Sequence, residues 1–286
     1  MSDLWMITGA AGGLGKAFAA ACAKEKMNLF LTDVSPVLLD ILAQGIKNEF
    51  GVEVHIHASN LANEEGRDEL FAWLNASNLR FTGLINVAGM DREGEYAGLS
   101  LQFMRTMMQL NMLSSAENIR QILPLRQEGV AFTIINVASL AAFQPMPYKA
   151  LYAATKRFIV QLTLGIREEL KNSGVKVSAL CPAGMPTTKG CLDSLEAQGL
   201  MGLLTTMNAG EVAGYALKQA DKGRAIIIPG LLNRIIYRLS VLSPVALTSR
   251  LLARKWSVSI RRRCGNLNPT ENMCGTPRLA DGERIR

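Results

Sequence analysis

The sequence is short of the residues that build metal centres and disulfide scaffolds. Its two histidines, His55 and His57, alternate along one strand-like run with no third ligand near them, so a metal site has no donor set. Five cysteines (Cys22, Cys181, Cys191, Cys264 and Cys274) form an odd, scattered set without a C-x-x-C pair, which argues against both a disulfide framework and a zinc site. No stretch reaches the roughly 18 uncharged apolar residues of a spanning helix. Met1 runs within three residues into a strand-like segment ending in glycines, not into a charged leader with a cleavage site. A cytoplasmic protein is the expectation. Low-complexity tracts, internal repeats and an interdomain linker are also missing.

What is abundant is apolar side chain. With 49% hydrophobic and 19% charged residues over 286 positions, the chain can bury a large core, and one α/β domain is the default at this length. The formal charge of +7 invites a nucleic-acid reading until it is divided along the chain. Residues 1–222 hold 19 Lys and Arg against 21 Asp and Glu, whereas residues 223–286 hold 12 against 3. The body is near neutral and the tail is basic. No nucleic-acid recognition motif accompanies that charge, so nucleic acid is not an expected partner.

Short β-branched or apolar runs alternate with segments of helical period, the pattern of parallel strands joined by crossover helices. The reading gives seven strands, near Leu4–Thr8, Asn28–Asp33, Val52–Ala58, Phe81–Val87, Ala131–Ala138, Val175–Leu180 and Ala225–Pro229. Helices fit Leu14–Lys26, Pro36–Phe50, Asn63–Asn75, Leu101–Leu123, Tyr148–Ser173 and Ala209–Ala220. Runs such as Phe132-Thr-Ile-Ile-Asn-Val are apolar on both faces, which a sheet covered by helices on both sides requires. The expected fold is a single Rossmann-type, doubly wound parallel sheet over residues 1–230. A basic amphipathic helical extension is expected over 231–260, and a mobile tail over 261–286.

Three constellations carry chemistry. The first strand leads into Thr8-Gly-Ala-Ala-Gly-Gly-Leu-Gly15, and a helical period starts at once. Strand, glycine turn and helix start in that order form a phosphate cradle, because glycine lets the backbone approach a pyrophosphate and the helix N-terminus supplies N–H groups and a positive dipole. A plain tight turn is the alternative. The second strand ends at Asp33, where a carboxylate accepts hydrogen bonds from the adenosine ribose hydroxyls and repels the extra phosphate of NADP. Neither Ala10–Leu14 nor Val34–Pro36 offers a cation for that phosphate, so NAD is favoured over NADP. The competing reading for the Asp33 region is an ordinary helix N-cap, a role for which Ser35 also qualifies. Third, Tyr152-Ala-Ala-Thr-Lys156 puts a phenol and an ammonium on one helix face, and the cation favours the phenolate that a general acid/base needs. Ser139 ends the fifth strand thirteen residues earlier, and Asn86-Val-Ala-Gly89 closes the fourth.

Together these motifs resemble the short-chain dehydrogenase/reductase family over roughly Leu4 to Pro229. The match rests on Thr8 to Gly15, Asp33, Asn60-Leu61, Asn86 to Gly89, Asn111, Ser139, Tyr152, Lys156 and Pro182 to Thr187, in family order and spacing. The resemblance implies a tetrad of Asn111, Ser139, Tyr152 and Lys156. Tyr152 exchanges a proton with the carbonyl or alcohol, Ser139 steadies the substrate oxygen, Lys156 also holds the nicotinamide ribose, and Asn111 anchors a water linking Lys156 to solvent. It implies nucleotide contacts from Gly9, Ala11, Gly12, Gly13, Leu14, Gly15, Asp33, Asn60, Leu61, Asn86, Ala88, Gly89, Tyr152 and Lys156. Pro182, Met185 and Thr187 would address the nicotinamide end. Asn60 stands where the family usually has Asp, Val87 replaces a second Asn, and Ala183 replaces a Gly. It also implies a dimer or tetramer through the Leu101 and Tyr148 helices.

The residues expected around the substrate are largely apolar: Met90, Leu140, Ala141, Phe143, Met146 and Tyr148, then Met185, Leu200, Met201, Leu203, Leu204 and Met207. Such a lining suits a hydrophobic ketone or secondary alcohol. The family resemblance implies an NAD(H)-dependent dehydrogenase/reductase, and because the end segment from Ile228 to Arg234 resembles the branch that includes hydroxysteroid dehydrogenases and long-chain 3-oxoacyl reductases, a hydroxysteroid is the first guess. A 3-oxoacyl thioester reductase and a non-catalytic nucleotide sensor are the rivals. Arg234, Arg238, Arg250, Arg254 and Lys255, interspersed with Leu, Ile and Trp256, fit an anionic membrane surface or a cover over the pocket.

Overall fold

The computed structural model describes residues 3–186, 204–246 and 248–254. In chain order they form β1 (Leu4–Thr8), α1 (Gly13–Lys24), β2 (Asn28–Asp33), α2 (Pro36–Phe50), β3 (Val54–Ala58), α3 (Glu64–Ala76) and β4 (Gly83–Asn86). Then come α4 (Leu101–Met108), a π-turn (Gln109–Leu113), α5 (Ser114–Ile122), β5 (Phe132–Val137), α6 (Ala150–Glu169) and β6 (Val175–Leu180). The series ends with α7 (Ala209–Asp221), β7 (Ile226–Ile227) and α8 (Leu231–Leu242). Helical backbone resumes at 245–246 and 248–254, past Pro244.

The strands make one seven-stranded sheet in the order β3-β2-β1-β4-β5-β6-β7, and every pairing is parallel. Side chains alternate across it. Ile7, Leu29, Leu31, Ile85 and Ile135 pack on Leu14, Phe18 and Cys22 of α1, Leu39 of α2 and Val212 and Ala216 of α7. Met6, Phe30, Leu84 and Ile134 pack on Leu70 and Leu74 of α3 and Ile119 and Ile122 of α5. Both faces are thus dry, as the apolar strands require. The strand order reverses between β1 and β4, and in open α/β sheets the crevice beyond the carboxyl ends at such a point is where ligands bind.

Local chemistry fixes the ends. Ser35 Oγ accepts from Leu38 N–H at 3.4 Å, Pro36 opens α2, and Gly51 at φ +67° closes it. Asn63 Oδ1 accepts from Gly66 N–H at 3.0 Å to cap α3. The helix expected over Leu101–Leu123 runs continuously but carries the π-turn within it, whose extra residue shifts the register around Asn111. The helix expected from Tyr148 begins at Ala150, because Tyr148 lies at φ +65°. The last strand is the two residues Ile226–Ile227, at one edge of the sheet among the described residues, where Ala225–Pro229 was expected. Of the expected extension and tail, residues 255–286 lie outside the described residues.

Candidate active site

The glycine turn folds as a cradle. Gly9 sits at φ +63°, and a Cβ there would lie 2.7 Å from the Ala88 Cα. A Cβ on Gly15 would run into the Gly9 carbonyl. Both positions demand glycine, which lets the turn after β1 nest against the loop after β4. Thr8 Oγ1 accepts from the N–H groups of Val87 and Ala88 at 3.1 and 3.2 Å, tying the two strand ends together. Gly12 caps α1 with no side-chain acceptor, so the first-turn N–H groups face the crevice as an anion site. The turn fits a pyrophosphate.

Of the two candidates for the α2 N-cap, Ser35 takes the role. The Asp33 carboxylate accepts from Ala11 N–H at 3.0 Å and from Ser35 N–H at 3.4 Å. The carboxylate therefore stands at the rim of the cradle, half-buried, with its charge over the turn. Asn60 is exposed, its Oδ1 accepting from Ala62 N–H at 3.0 Å, and Leu61 is buried in the core.

Asn86 behaves differently from its neighbours. Its amide donates to Asn136 Oδ1 at 2.9 Å and Ser115 O at 3.4 Å and accepts from Asn118 Nδ2 at 2.9 Å, while Asn136 donates to Thr163 Oγ1 at 3.0 Å. This side chain is spent inside the sheet, where it locks β4 to β5, α5 and α6. Asn118 and Asn136 were not singled out in the sequence, and a buried amide ladder between neighbouring strands has no short-range signature.

Beyond β4 and β5 the structure brings together Asn111, Tyr152 and Lys156, with Ser139 at the end of β5. Asn111, brought inward by the π-turn, exchanges two hydrogen bonds with the Met90 peptide, accepting at 2.8 Å and donating at 2.9 Å, and donates to Thr155 Oγ1 at 3.0 Å. Lys156 is buried, and its Nζ donates to Val137 O at 2.9 Å. A Cβ on Gly89 would lie 3.3 Å from that Nζ and 3.2 Å from Asn111 Oδ1, so any larger residue would press on both groups. Burial pushes Lys156 down to about 8, against the opposing pull of Asp91 and Cys181. Its Nζ stands 5.8 Å from the centre of the Tyr152 ring. Ser139 is extended, at φ −166°, and its Oγ accepts from Ala141 N–H at 3.2 Å.

Past β6, Pro182 O accepts from Leu140 N–H at 3.0 Å, and Met185 packs against the core beside Met207. Thr187, Leu200, Met201 and Leu203 lie outside the described residues. Helix α8 comes back over this end of the sheet. Tyr237 meets Phe143 edge-on at 4.5 Å, Gln144 Nε2 donates to Ser240 O at 2.7 Å, and Asn233 Nδ2 donates to Thr205 O at 3.2 Å. Cys22 and Cys181 are buried, and burial pushes both thiols up to about 12, which disables them as nucleophiles. His57 stacks on Trp73 at 5.1 Å and His55 faces Glu53 at 3.1 Å, far from any ligand cluster among the described residues.

The geometry agrees with what comparison finds. The short chain dehydrogenase family matches residues 4–191. The ketoacyl reductase HetN of Nostoc sp. is 28% identical over 214 residues, 74% of this chain and 74% of that protein. The very-long-chain 3-oxoacyl-CoA reductase of Homo sapiens is 29% identical over 181 residues, 62% of this chain and 57% of its own length, so the chain spans little more than half of that relative. A solved 7β-hydroxysteroid dehydrogenase superposes with a TM-score of 0.77 at 21% identity, covering 87% of this chain and 96% of that one, which establishes a shared fold. A family match that runs from β1 past the end of β6 settles the assignment: the chain belongs to the short-chain dehydrogenase family, oxidoreductases that act on CH–OH and ketone groups with NAD or NADP.

Proposed function

We propose that the chain is an NAD(H)-dependent oxidoreductase that interconverts a ketone and a secondary alcohol on a bulky, hydrophobic substrate, with a hydroxysteroid the first class to test. The observation that carries this reading is the buried Lys156 ammonium, lodged against Gly89 and Val137 and 5.8 Å from the Tyr152 ring, beyond the end of β5. A bound nicotinamide supplies or accepts the hydride. The chain's own residues do the rest. Gly9, Ala11, Gly12, Gly13, Leu14 and Gly15 hold the pyrophosphate, and Asp33 takes the ribose hydroxyls, its charge excluding a 2′-phosphate. Tyr152 gives its phenolic proton to the carbonyl oxygen, or takes one from the alcohol. Lys156 favours the phenolate by charge and Ser139 Oγ orients the substrate oxygen. Asn111 fixes the Met90 loop and anchors the water that links Lys156 to solvent.

Phe143, Met146, Met185 and Met207, all half-buried, supply an apolar wall, with α8 as its cover. Methionine adapts to an irregular ring system or chain. A second reading, reduction of a long-chain 3-oxoacyl thioester, is favoured by the names of the two sequence relatives. The exposed face of α8 carries Leu231, Ile235, Leu239 and Leu242 beside Arg234 and Arg238. We assign it, on that pairing of exposed leucine and isoleucine with arginine, to peripheral contact with an anionic membrane. Exposed Leu101, Met108 and Leu113 on and beside α4 mark the face for a homodimer or tetramer.

NADH oxidation against keto-steroids, 3-oxoacyl thioesters and small ketones, repeated with NADPH, tests the reading. Turnover of keto-steroids with NADH is expected. Turnover of thioesters alone would replace the substrate, and a strong preference for NADPH would overturn the nucleotide.

A further inference from the structure

Three residues ahead of Tyr152 stands a second lysine that the tetrad does not use. Lys149 is the N-cap residue of α6, and its Nζ lies 2.5 Å from Asp91 Oδ2 and 2.9 Å from Glu93 Oε1, both on the loop that follows Gly89. The pair with Glu93 is nearly enclosed: the two side chains are 13% and 10% exposed. The same Nζ lies 5.5 Å from the centre of the Tyr152 ring, slightly closer than Lys156. Tyr152 is therefore within cation reach of position i−3 as well as i+4 along one helix.

The arrangement is built, not a chance meeting of surface charges. Tyr148 holds the left-handed conformation at φ +65°, which a tyrosine adopts at a cost. Its carbonyl accepts from Gly94 N–H at 2.9 Å, so two ion pairs and one backbone bond fasten the 91–94 segment to the entry of α6. Arg92, between the two carboxylates, turns away to lie 5.0 Å over Phe103 of α4. A small hollow beside Tyr152 is walled by Gly94, Tyr96, Tyr148 and Lys149. Had Lys149 only a solubilising role, neither the strained residue before it nor the enclosed carboxylate would be needed.

We propose that Lys149, held by Asp91 and Glu93, is a positioning residue that sets the ionisation of Tyr152 from the side opposite in sequence to Lys156. The proposal rests on the assignment of Tyr152 as the proton-transferring group. The charged and titratable groups that act here are Lys149 and Lys156 from α6, Asp91, Arg92 and Glu93 from the loop after β4, the phenols of Tyr96 and Tyr148, and the Cys181 thiol beyond β6. Asp91 also acts on Lys156, whereas Glu93 pairs with Lys149. Removing Lys149 deletes one positive charge and leaves its two carboxylates facing the phenol, which disfavours phenolate. Removing the Glu93 charge leaves the ammonium less compensated, which favours phenolate. A loop staple without electrostatic purpose would not give shifts of opposite sign.

The test reads Tyr152 without any substrate. Near-ultraviolet absorbance of phenolate is titrated in the apoprotein, and the trace of the matching Tyr152→Phe variant is subtracted from each. Lys149→Met is expected to raise the midpoint by about one pH unit, Glu93→Gln to lower it by about half a unit, and Lys149→Arg to leave it in place. An unshifted midpoint in folded Lys149→Met overturns the proposal. Should that variant fail to fold, an unshifted or raised midpoint in Glu93→Gln overturns it. Because no turnover is needed, failure of the catalytic reading shows separately, as an enzyme inert toward every ketone whose Tyr152 still responds to Lys149.

Discussion

Replacing Lys156 by methionine is expected to stabilise the unliganded fold at neutral pH while destroying its function, and the size of the effect follows from burial. In the unfolded chain a lysine titrates near 10.4. In the fold, burial pushes Lys156 down to about 8. The gap of about 2.5 units corresponds to about 3 kcal/mol by which the charged ammonium opposes folding. The sign is set by proton binding. Between about 8 and 10.4 the unfolded chain holds the proton and the folded chain has released it, so stability rises with pH across that window; below about 8 the full cost is present. Methionine removes this cost and also removes the donor to Val137 O, a loss of about 1 kcal/mol. Lys156→Met is thus expected to be about 2 kcal/mol more stable than the parent at pH 7, with the advantage vanishing and reversing slightly near pH 10. Urea unfolding of both proteins without nucleotide at four or five pH values measures it. A difference independent of pH, or a variant less stable at pH 7, would refute the reasoning.

Three further outcomes follow from the same geometry. Gly9→Ala forces a Cβ against the Ala88 backbone at φ +63°, and is expected to cost about 2 kcal/mol and to abolish NADH binding in a fluorescence titration; unchanged affinity would show that the turn is not the cradle. Asn86→Ala strands partners in Asn118 and Asn136 inside the sheet and is expected to lower denaturant stability by about 2 kcal/mol, and a neutral result would dismiss the amide ladder as a fold determinant. Asp33→Ala combined with Val34→Arg removes the charge at the rim and offers a cation, so the ratio of kcat/KM values should move toward NADP; an unmoved ratio would mean that Asp33 does not meet the ribose.

Much of the scaffold is legible because its signals are local. Leu4–Thr8, Asn28–Asp33, Pro36–Phe50 and Val175–Leu180 appear where the sequence places them, since apolar runs, the Ser35-Pro36 start and the Gly51 stop act within a few residues. Elsewhere tertiary partners decide. Phe81 reads as strand but makes only an isolated bridge to Arg126, so β4 waits until Gly83, where it meets β1 and β5. The π-turn at Asn111 has no signature in a periodic helix, because what holds it is the Met90 peptide 21 residues away. Asp91 and Glu93 carry no local signal for the same reason: their partner Lys149 arrives only when α6 packs beside the β4 loop. The choice between Asp33 as cap and Asp33 as rim carboxylate likewise needed Ala11, which the turn brings within 3.0 Å.

The most direct measurement compares the wild-type chain with Tyr152→Phe in two assays run side by side, turnover of a ketone with NADH and binding of NADH alone. Loss of the phenolic hydroxyl removes the proton donor and leaves the cradle intact, so turnover should disappear while NADH affinity stays within a few-fold. Retained turnover in Tyr152→Phe would contradict the account at its centre.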